Sequence, residues 1–228
     1  MDLIKRALCA DCFDYMAAMP DNSVYCTITD FPYGECTGYK EGGYTRVNRD
    51  GADTDADGTE FDYMKATREI IRVTKGSCLI FCGSEQVSTI KKIMRDSGLN
   101  MTRIVVWEKT NGHCMNCDKG FLSSLEVAVF GRKSKAYWGG KVEHACIIHP
   151  TMPNCWHPTA KPIPLLKKFV TFMCPEGETV FDPCAGSFST AVAAAELGRG
   201  FVCIEKNPVF FDRAMEHHKD KLFQDLLL

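Results

Sequence analysis

The chain has 228 residues, 45% of them hydrophobic, 25% charged and 11% aromatic, which excludes a wholly disordered or fibrous protein and allows one well-buried domain with a modest insertion. Its formal charge of −2 lacks the global basicity that by itself marks a nucleic-acid binder, so any site for a polyanion must be local. No run approaches the roughly 20 apolar residues of a membrane span, and the Met1 to Arg6 start has no secretory pattern, so a cytoplasmic location is expected.

Short apolar, β-branched runs predict strands at 6–10, 24–29, 78–82, 103–107, 125–130, 179–181 and 201–204. Helical patterns fall between several of them, at 61–73, 85–96, 163–172, 190–197 and 208–223. Gly98 and Gly198 stand where helix-ending glycines belong, and each precedes a strand. Alternating strands and helices imply a single α/β domain whose seven-stranded, mostly parallel sheet is covered on both faces. Irregular insertions are expected at 35–60, 109–123 and 132–157, with no internal repeat.

Charge is uneven along the chain. From 35 to 62 there are eight acidic residues against three basic ones, a local −5 in a Gly-, Asp- and Thr-rich stretch that reads as a long acidic loop. From 103 to 141 seven basic residues face three acidic ones, a local +4 with His113, Tyr137 and Trp138 interleaved. That composition suits a phosphate backbone and exposed bases, or equally a solvated surface. The thirteen cysteines are odd in number and several lie in predicted strands, so reduced thiols are expected. His113, Cys114 and Cys117, joined by Cys146, His149, Cys155 or His157, form the alternative of a structural zinc site. No second Cys-x-x-Cys follows at a customary distance, and unligated thiols are the preferred reading.

Ligands of parallel sheets bind beyond the carboxyl ends of the strands. Asp30-Phe31-Pro32-Tyr33-Gly34 follows the second predicted strand, and Asp182-Pro183-Cys184-Ala185-Gly186-Ser187-Phe188 runs from the sixth into a helix. The second loop has the small residues from which backbone amides and a helix N-terminus hold a carboxylate or phosphate, or it is a plain tight turn. Glu205 ends the last strand about 20 positions later, where an acid accepts hydrogen bonds from ribose hydroxyls.

Together these motifs resemble the beta-class DNA amino-methyltransferases, in which an aromatic-proline motif precedes the cofactor loop. Further matches are Asp11 before a first helix, Ile71 to Gly76, Trp107-Glu108-Lys109, Glu126, and His157-Pro158-Thr159-Ala160-Lys161-Pro162. The resemblance implies a Rossmann-like fold with permuted motif order, S-adenosylmethionine as cofactor, no required metal, and double-stranded DNA with a flipped base as substrate. It makes Asp30, Pro32 and Tyr33 catalytic: Asp30 through its carboxylate and Pro32 through its carbonyl accept the two amine protons, and Tyr33 stacks on the base. Asp11 and Glu205 are placed at the cofactor's adenine and ribose. Asp30, Thr159, Lys161, Asp182, Cys184, Ala185, Gly186 and Ser187 complete its site.

The aspartate opening the first motif favours adenine N6 over cytosine N4, while RNA methylation and a non-catalytic DNA-binding role stay open. Motif order argues against the glutamine methyltransferases of release factors. The 109–156 region is the candidate target-recognition segment, with Lys109, His113, Lys119, Arg132, Lys133 and Lys135 as DNA contacts. A homodimer, a bacterial or phage source and a restriction-modification setting fit the resemblance. Two positions depart from the family. Phe31 replaces a proline, which restores an N–H donor. Phe188 replaces a glycine and either obstructs the cofactor or turns its ring into the core while the loop keeps its path.

Overall fold

The computed structural model of the chain describes residues 3–32, 61–113, 121–152, 155–157 and 159–223. Tyr33, Cys114, Cys117, Lys119, Pro158 and residues 35–60 of the acidic stretch lie outside them, as does the side chain of His113. In chain order the elements are β1 (Lys5–Cys9), α1 (Cys12–Ala18), β2 (Cys26–Asp30), α2 (Tyr63–Val73) and β3 (Ser77–Cys82). A 3-10 turn over Ser84–Gln86 leads into α3 (Val87–Asp96), followed by β4 (Met101–His113), β5 (Ser123–Arg132) and β6 (Cys146–Ile148). The chain closes with α4 (Ile163–Met173), β7 (Thr179–Asp182), α5 (Ser189–Glu196), β8 (Gly200–Glu205) and α6 (Pro208–Phe223).

These strands form one sheet in the order β1-β8-β7-β2-β3-β5-β4-β6. The five from β1 to β3 are parallel, β5 runs antiparallel to both β3 and β4, and β6 is parallel to β4. The sheet therefore has eight strands where seven were predicted. The extra one, β6, is three residues long with only its middle residue buried, too little alternation to register as a strand in the sequence. β4 likewise continues to His113, so the insertion expected from 109 begins as an extension of that strand.

Strands β3 and β7 are buried at every position, as parallel strands covered on both faces must be. Helices α1, α2 and α3 pack on one face with Ile70, Ile80 and Ile90, and α4, α5 and α6 on the other with Leu79, Phe169 and Val192. Local chemistry fixes the helix starts. The Asp11 carboxylate accepts the Phe13 N–H at 2.8 Å to open α1, and Asp62 accepts the Lys65 N–H at 2.9 Å to open α2.

Both phenylalanine departures are accommodated. Phe31 donates its backbone N–H to the Phe81 carbonyl at 3.0 Å, a bond that a proline lacks, which extends the β2–β3 ladder by one residue. Its ring is buried 5.1 Å from that of Phe61. Phe188 keeps the left-handed backbone of a glycine, with φ +59° and ψ +21°, and its ring is fully buried edge-on to Phe211. The loop keeps its path and the ring turns into the core. A left-handed non-glycine residue costs about 1–2 kcal/mol, and burial of the ring offsets it with about 1.5–3 kcal/mol.

Phe188→Ala is expected to lose about 3–5 kcal/mol in urea unfolding, because it empties the ring site and retains the backbone penalty. Phe188→Gly removes the same ring and relieves the backbone, so it should lose roughly 1 kcal/mol less than the alanine variant. A glycine variant less stable than the alanine one would contradict this account.

Candidate active site

Connections from β2 and from β7 leave in opposite directions, toward β3 on one side and β8 on the other, so the crevice between these adjacent strands is a topological switch point. Asp30 ends β2 and Asp182 ends β7 on its two rims. The Thr29 hydroxyl donates to Asp182 Oδ1 at 2.8 Å across the crevice. Glu205 ends the neighbouring β8, and Asp11 follows β1 beyond it. Four carboxylates, scattered over the chain, thus line the same end of the sheet.

The loop from Asp182 to Phe188 is wired internally. Asp182 Oδ1 also accepts the Cys184 N–H at 3.1 Å, Ala185 N–H donates to the Ile204 carbonyl at 2.8 Å, and Gly186 N–H donates to Glu205 Oε2 at 2.8 Å. Phe188 N–H returns to the Ala185 carbonyl at 2.8 Å. Four of the loop's amides are therefore occupied within the protein, in keeping with the tight-turn alternative rather than a cradle for a carboxylate or phosphate. The loop supplies shape instead. Gly186 sits at φ +48° with the His157 ring so close that a Cβ there would lie 3.1 Å from its Cε1 and Nε2. A cavity beside this contact is bounded by Asp30, Thr159, Lys161, Asp182, Ser187 and Thr190.

Burial dominates the titration here. It pushes Asp182 up to about 6 against the hydrogen bonds from Thr190, Thr29 and Cys184. It also raises the Glu205 carboxyl despite N–H donors from Asn207, Gly186 and Lys206. His157 is driven down to about 4 by burial and by the charge of Lys161, so its imidazole is neutral at physiological pH. This histidine, a conceivable zinc ligand in the sequence, packs on Gly186 and 4.7 Å from the Phe210 ring. Of the other zinc candidates among the described residues, the Cys146 thiol lies 3.7 Å from a Glu108 oxygen, His149 Nδ1 lies 2.7 Å from the Pro150 carbonyl, and Cys155 is half-buried.

Lys161 reaches this site from just before α4. Its Nζ lies 2.5 Å from Asp30 Oδ2 and 2.8 Å from Glu126 Oε2, and Lys109 Nζ lies 2.7 Å from Glu126 Oε1. Lys161 therefore meets the β2 carboxylate in this structure, and Lys109, expected at phosphates, is engaged by Glu126. Glu126 was legible as a charge within the apolar run at 125–130, which in a buried strand calls for a partner.

The basic residues of 103–141 divide between two ends of the sheet. The pairing of Ser77 with Arg132 and of Cys82 with Val127 puts Arg132, Lys133 and Lys135 at the amino end of β3, opposite the carboxylates. Lys133 has structural work there, donating to the Ile71 carbonyl at 2.9 Å, the Thr74 carbonyl at 2.5 Å and Asn22 Oδ1 at 3.0 Å. The Arg132 guanidinium likewise donates to the Ala136 carbonyl. Conversely, β4 beyond Val106 and β5 before Val127 extend past the end of β3 on the site side, with His113 opposite Ser123 at the far end.

A mostly parallel sheet with an acid-lined switch point and a glycine-containing loop closed by a strand-end glutamate is the arrangement on which α/β proteins carry nucleoside cofactors. Residues 24–216 match the family described as DNA methylase, N6_N4_Mtase, and the chain belongs to it. It is 22% identical to the Type II methyltransferase M2.MboI of Moraxella bovis, over 92% of this chain and 86% of that protein. It is 28% identical to the putative methylase YubD of Escherichia coli K12, over 89% and 85% respectively. Among solved structures, the M1.HpyAVI–SAM complex superposes with a TM-score of 0.70 at 23% identity, covering 94% of this chain and all of that one. The cytosine-N4-specific PvuII DNA methyltransferase superposes with a TM-score of 0.66 at 12% identity, over 93% and 90%.

Two outcomes follow. Lys133→Met should lower stability by about 1–3 kcal/mol, by removing a donor from buried carbonyls, while leaving the salt dependence of DNA binding unchanged; an altered slope would return Lys133 to the DNA interface. For Asp182, the folded value near 6 lies above the roughly 3.9 of an unfolded aspartate, so its ionisation opposes folding progressively as pH rises from about 4 to about 6. Relative to Asp182→Asn, the wild-type protein should gain on the order of 2–3 kcal/mol as pH falls from 7 to 4, read by urea unfolding at both values.

Proposed function

We propose that this DNA methylase transfers a methyl group from S-adenosylmethionine to the exocyclic amine of a base flipped out of double-stranded DNA, with adenine N6 as the target. The observation that carries the reading is the position of Asp30: it ends β2 at the switch point, facing the cavity that the Asp182 to Ser187 loop bounds from β7. Asp30 and Asp182 bound the cavity, Asp11 and Glu205 stand at the same end of the sheet, and four of the loop's amides are occupied. A phosphate-bearing cofactor suits such a site poorly, whereas a ligand with a sulfonium, an ammonium and ribose hydroxyls suits it well. That complementarity matches S-adenosylmethionine, which when bound supplies an activated methyl group on sulfur.

The chain's own residues supply position and polarity. Asp11 and Glu205 take the adenine and ribose ends. Thr159, Asp182, Cys184, Ala185, Gly186 and Ser187 shape the methionine end. An exocyclic amine is a weak nucleophile because its lone pair is delocalised into the ring. Asp30 accepts one amine proton and the Pro32 carbonyl the other, which localises that lone pair on nitrogen, and Tyr33 stacks on the extruded ring. Transfer is a displacement whose barrier falls through alignment. Nitrogen gains the methyl group, sulfur keeps the electrons of the broken bond, and the amine sheds a proton on the side of Asp30.

DNA recognition is assigned to the sequence between β4 and β5, with His113 and Lys119 as contacts and the fully exposed Phe121 just before β5. A homodimer would bring two such segments to one duplex. The aspartate that opens the first motif supports adenine over cytosine.

The test is incubation with labelled S-adenosylmethionine and unmodified DNA, followed by digestion to nucleosides. N6-methyladenine is expected; N4-methylcytosine would keep the chemistry and overturn the base, and label appearing only in RNA would overturn the substrate. Asp30→Ala should lower kcat roughly 100-fold or more while S-adenosylmethionine affinity stays within about threefold.

A further inference from the structure

Lys161 is a cation buried to 7% exposure, and no solvent neutralises it. Its Nζ stands between Asp30 Oδ2 at 2.5 Å and Glu126 Oε2 at 2.8 Å and lies 4.8 Å above the Phe81 ring. Glu126 is held in turn by Lys109, whose Nζ sits 5.4 Å over the ring of the buried Trp107. Four charges of alternating sign thus converge from β2, the segment before α4, β5 and β4. Burial works against the charge on Lys161, but Asp30 and Glu126 outweigh it and raise its pKa above the ordinary value. Burial raises Glu126 as well, and the two lysines outweigh that and leave its carboxyl below the ordinary range. Lys161 and Glu126 are thus each favoured in the charged form.

Such a network is weak as a source of stability, because desolvation of buried ions offsets most of their attraction and apolar residues of similar volume serve as well. Its value lies in geometry. A carboxylate with one oxygen fixed on a buried ammonium cannot rotate freely about its last torsion, and misplacement of a reacting group by about 1 Å can cost on the order of 100-fold in rate. We propose that Lys161 is a positioning residue that aims the Asp30 carboxylate at the target amine, and that Glu126, anchored by Lys109, holds Lys161 in register. This assigns Lys161 to the methyl acceptor's side of the reaction instead of the cofactor's carboxylate, and it rests on the reading of Asp30 given above. Glu126 shares the lysine's charge, so Asp30 is oriented without being fully neutralised as an acceptor.

The experiment measures kcat on unmodified DNA at saturating S-adenosylmethionine, together with S-adenosylmethionine affinity by calorimetry, for Lys161→Met, Glu126→Gln and the double variant. Lys161→Met is expected to lower kcat about 100-fold with affinity for S-adenosylmethionine within about threefold of wild type. Glu126→Gln should lower kcat about tenfold, and adding it to Lys161→Met should cost nothing further, because it acts through that lysine. A Lys161→Met variant that loses S-adenosylmethionine affinity and keeps its kcat would overturn the assignment, as would independent, multiplying losses in the double variant. Should Lys161→Met fail to fold with two carboxylates left unpaired, the double variant, which removes one charge of each sign, carries the same test of kcat against affinity. Absence of methyl transfer by the wild-type protein would defeat the underlying reading. Transfer by wild type that neither substitution slows would defeat this assignment alone.

Discussion

The structure turns on the parallel neighbours β2 and β7, whose onward connections leave to opposite sides, toward β3 and toward β8. Adjacent parallel strands whose connections depart to opposite sides leave a gap that no crossover segment covers, and this gap is where a ligand can reach the strand ends. Here it is spanned by one buried hydrogen bond, from the Thr29 hydroxyl to Asp182. That bond ties the strand bearing Asp30 to the strand that leads into the Asp182 to Phe188 loop. Asp182 then serves as an internal anchor, its carboxylate facing Thr29 and the Cys184 amide, while Glu205 closes the far side of the loop through the Gly186 amide. The acids of this crevice do different work according to their partners.

Two bulky residues occupy backbone positions where smaller or stiffer ones are expected, and both succeed because the surrounding core receives their rings. Phe31 gains a ladder hydrogen bond that a proline cannot make. Phe188 accepts a left-handed conformation while its ring joins the cluster around α5 and α6. Backbone strain at a cofactor loop is tolerable when side-chain packing over-determines it. The path of the loop is then set by apolar contacts behind it as much as by its own small residues.

Much of this was legible in the sequence, because strongly apolar β-branched runs and helix patterns between them survive in the fold with shifts of a few residues at their ends. α6 falls at the predicted residues 208–223, and the strands ending at Asp30, Asp182 and Glu205 fall where the motifs require. What escaped was non-local. β6 is recruited by pairing with β4 and carries no pattern of its own. The short α1 shows no periodicity in its seven residues and was visible only through the family resemblance. The division of the basic segment between two ends of the sheet follows from strand direction, since β5 carries Arg132 back to the start of β3. Local charge counts cannot see that return. Nor does any spacing announce that Lys161, Glu126 and Asp30, from three separate elements, meet at one point.

That division also bears on how a protein of net charge −2 engages a polyanion. Lysines consumed by internal carbonyls or carboxylates, such as Lys133 and Lys109, contribute little to counterion release, because their charge is committed before any phosphate approaches. Electrostatic attraction would then come from cations not committed in this way, while the acids at the strand ends would repel the phosphate backbone and tolerate a neutral base. On the proposed reading a duplex is favoured at the rim and disfavoured in the cavity, so an extruded nucleotide is what would reach Asp30. Selectivity for a flipped base would, on the proposed reading, be partly a consequence of where the protein spends its charges, with the buried Lys161 beside Asp30 reserved for orienting that carboxylate.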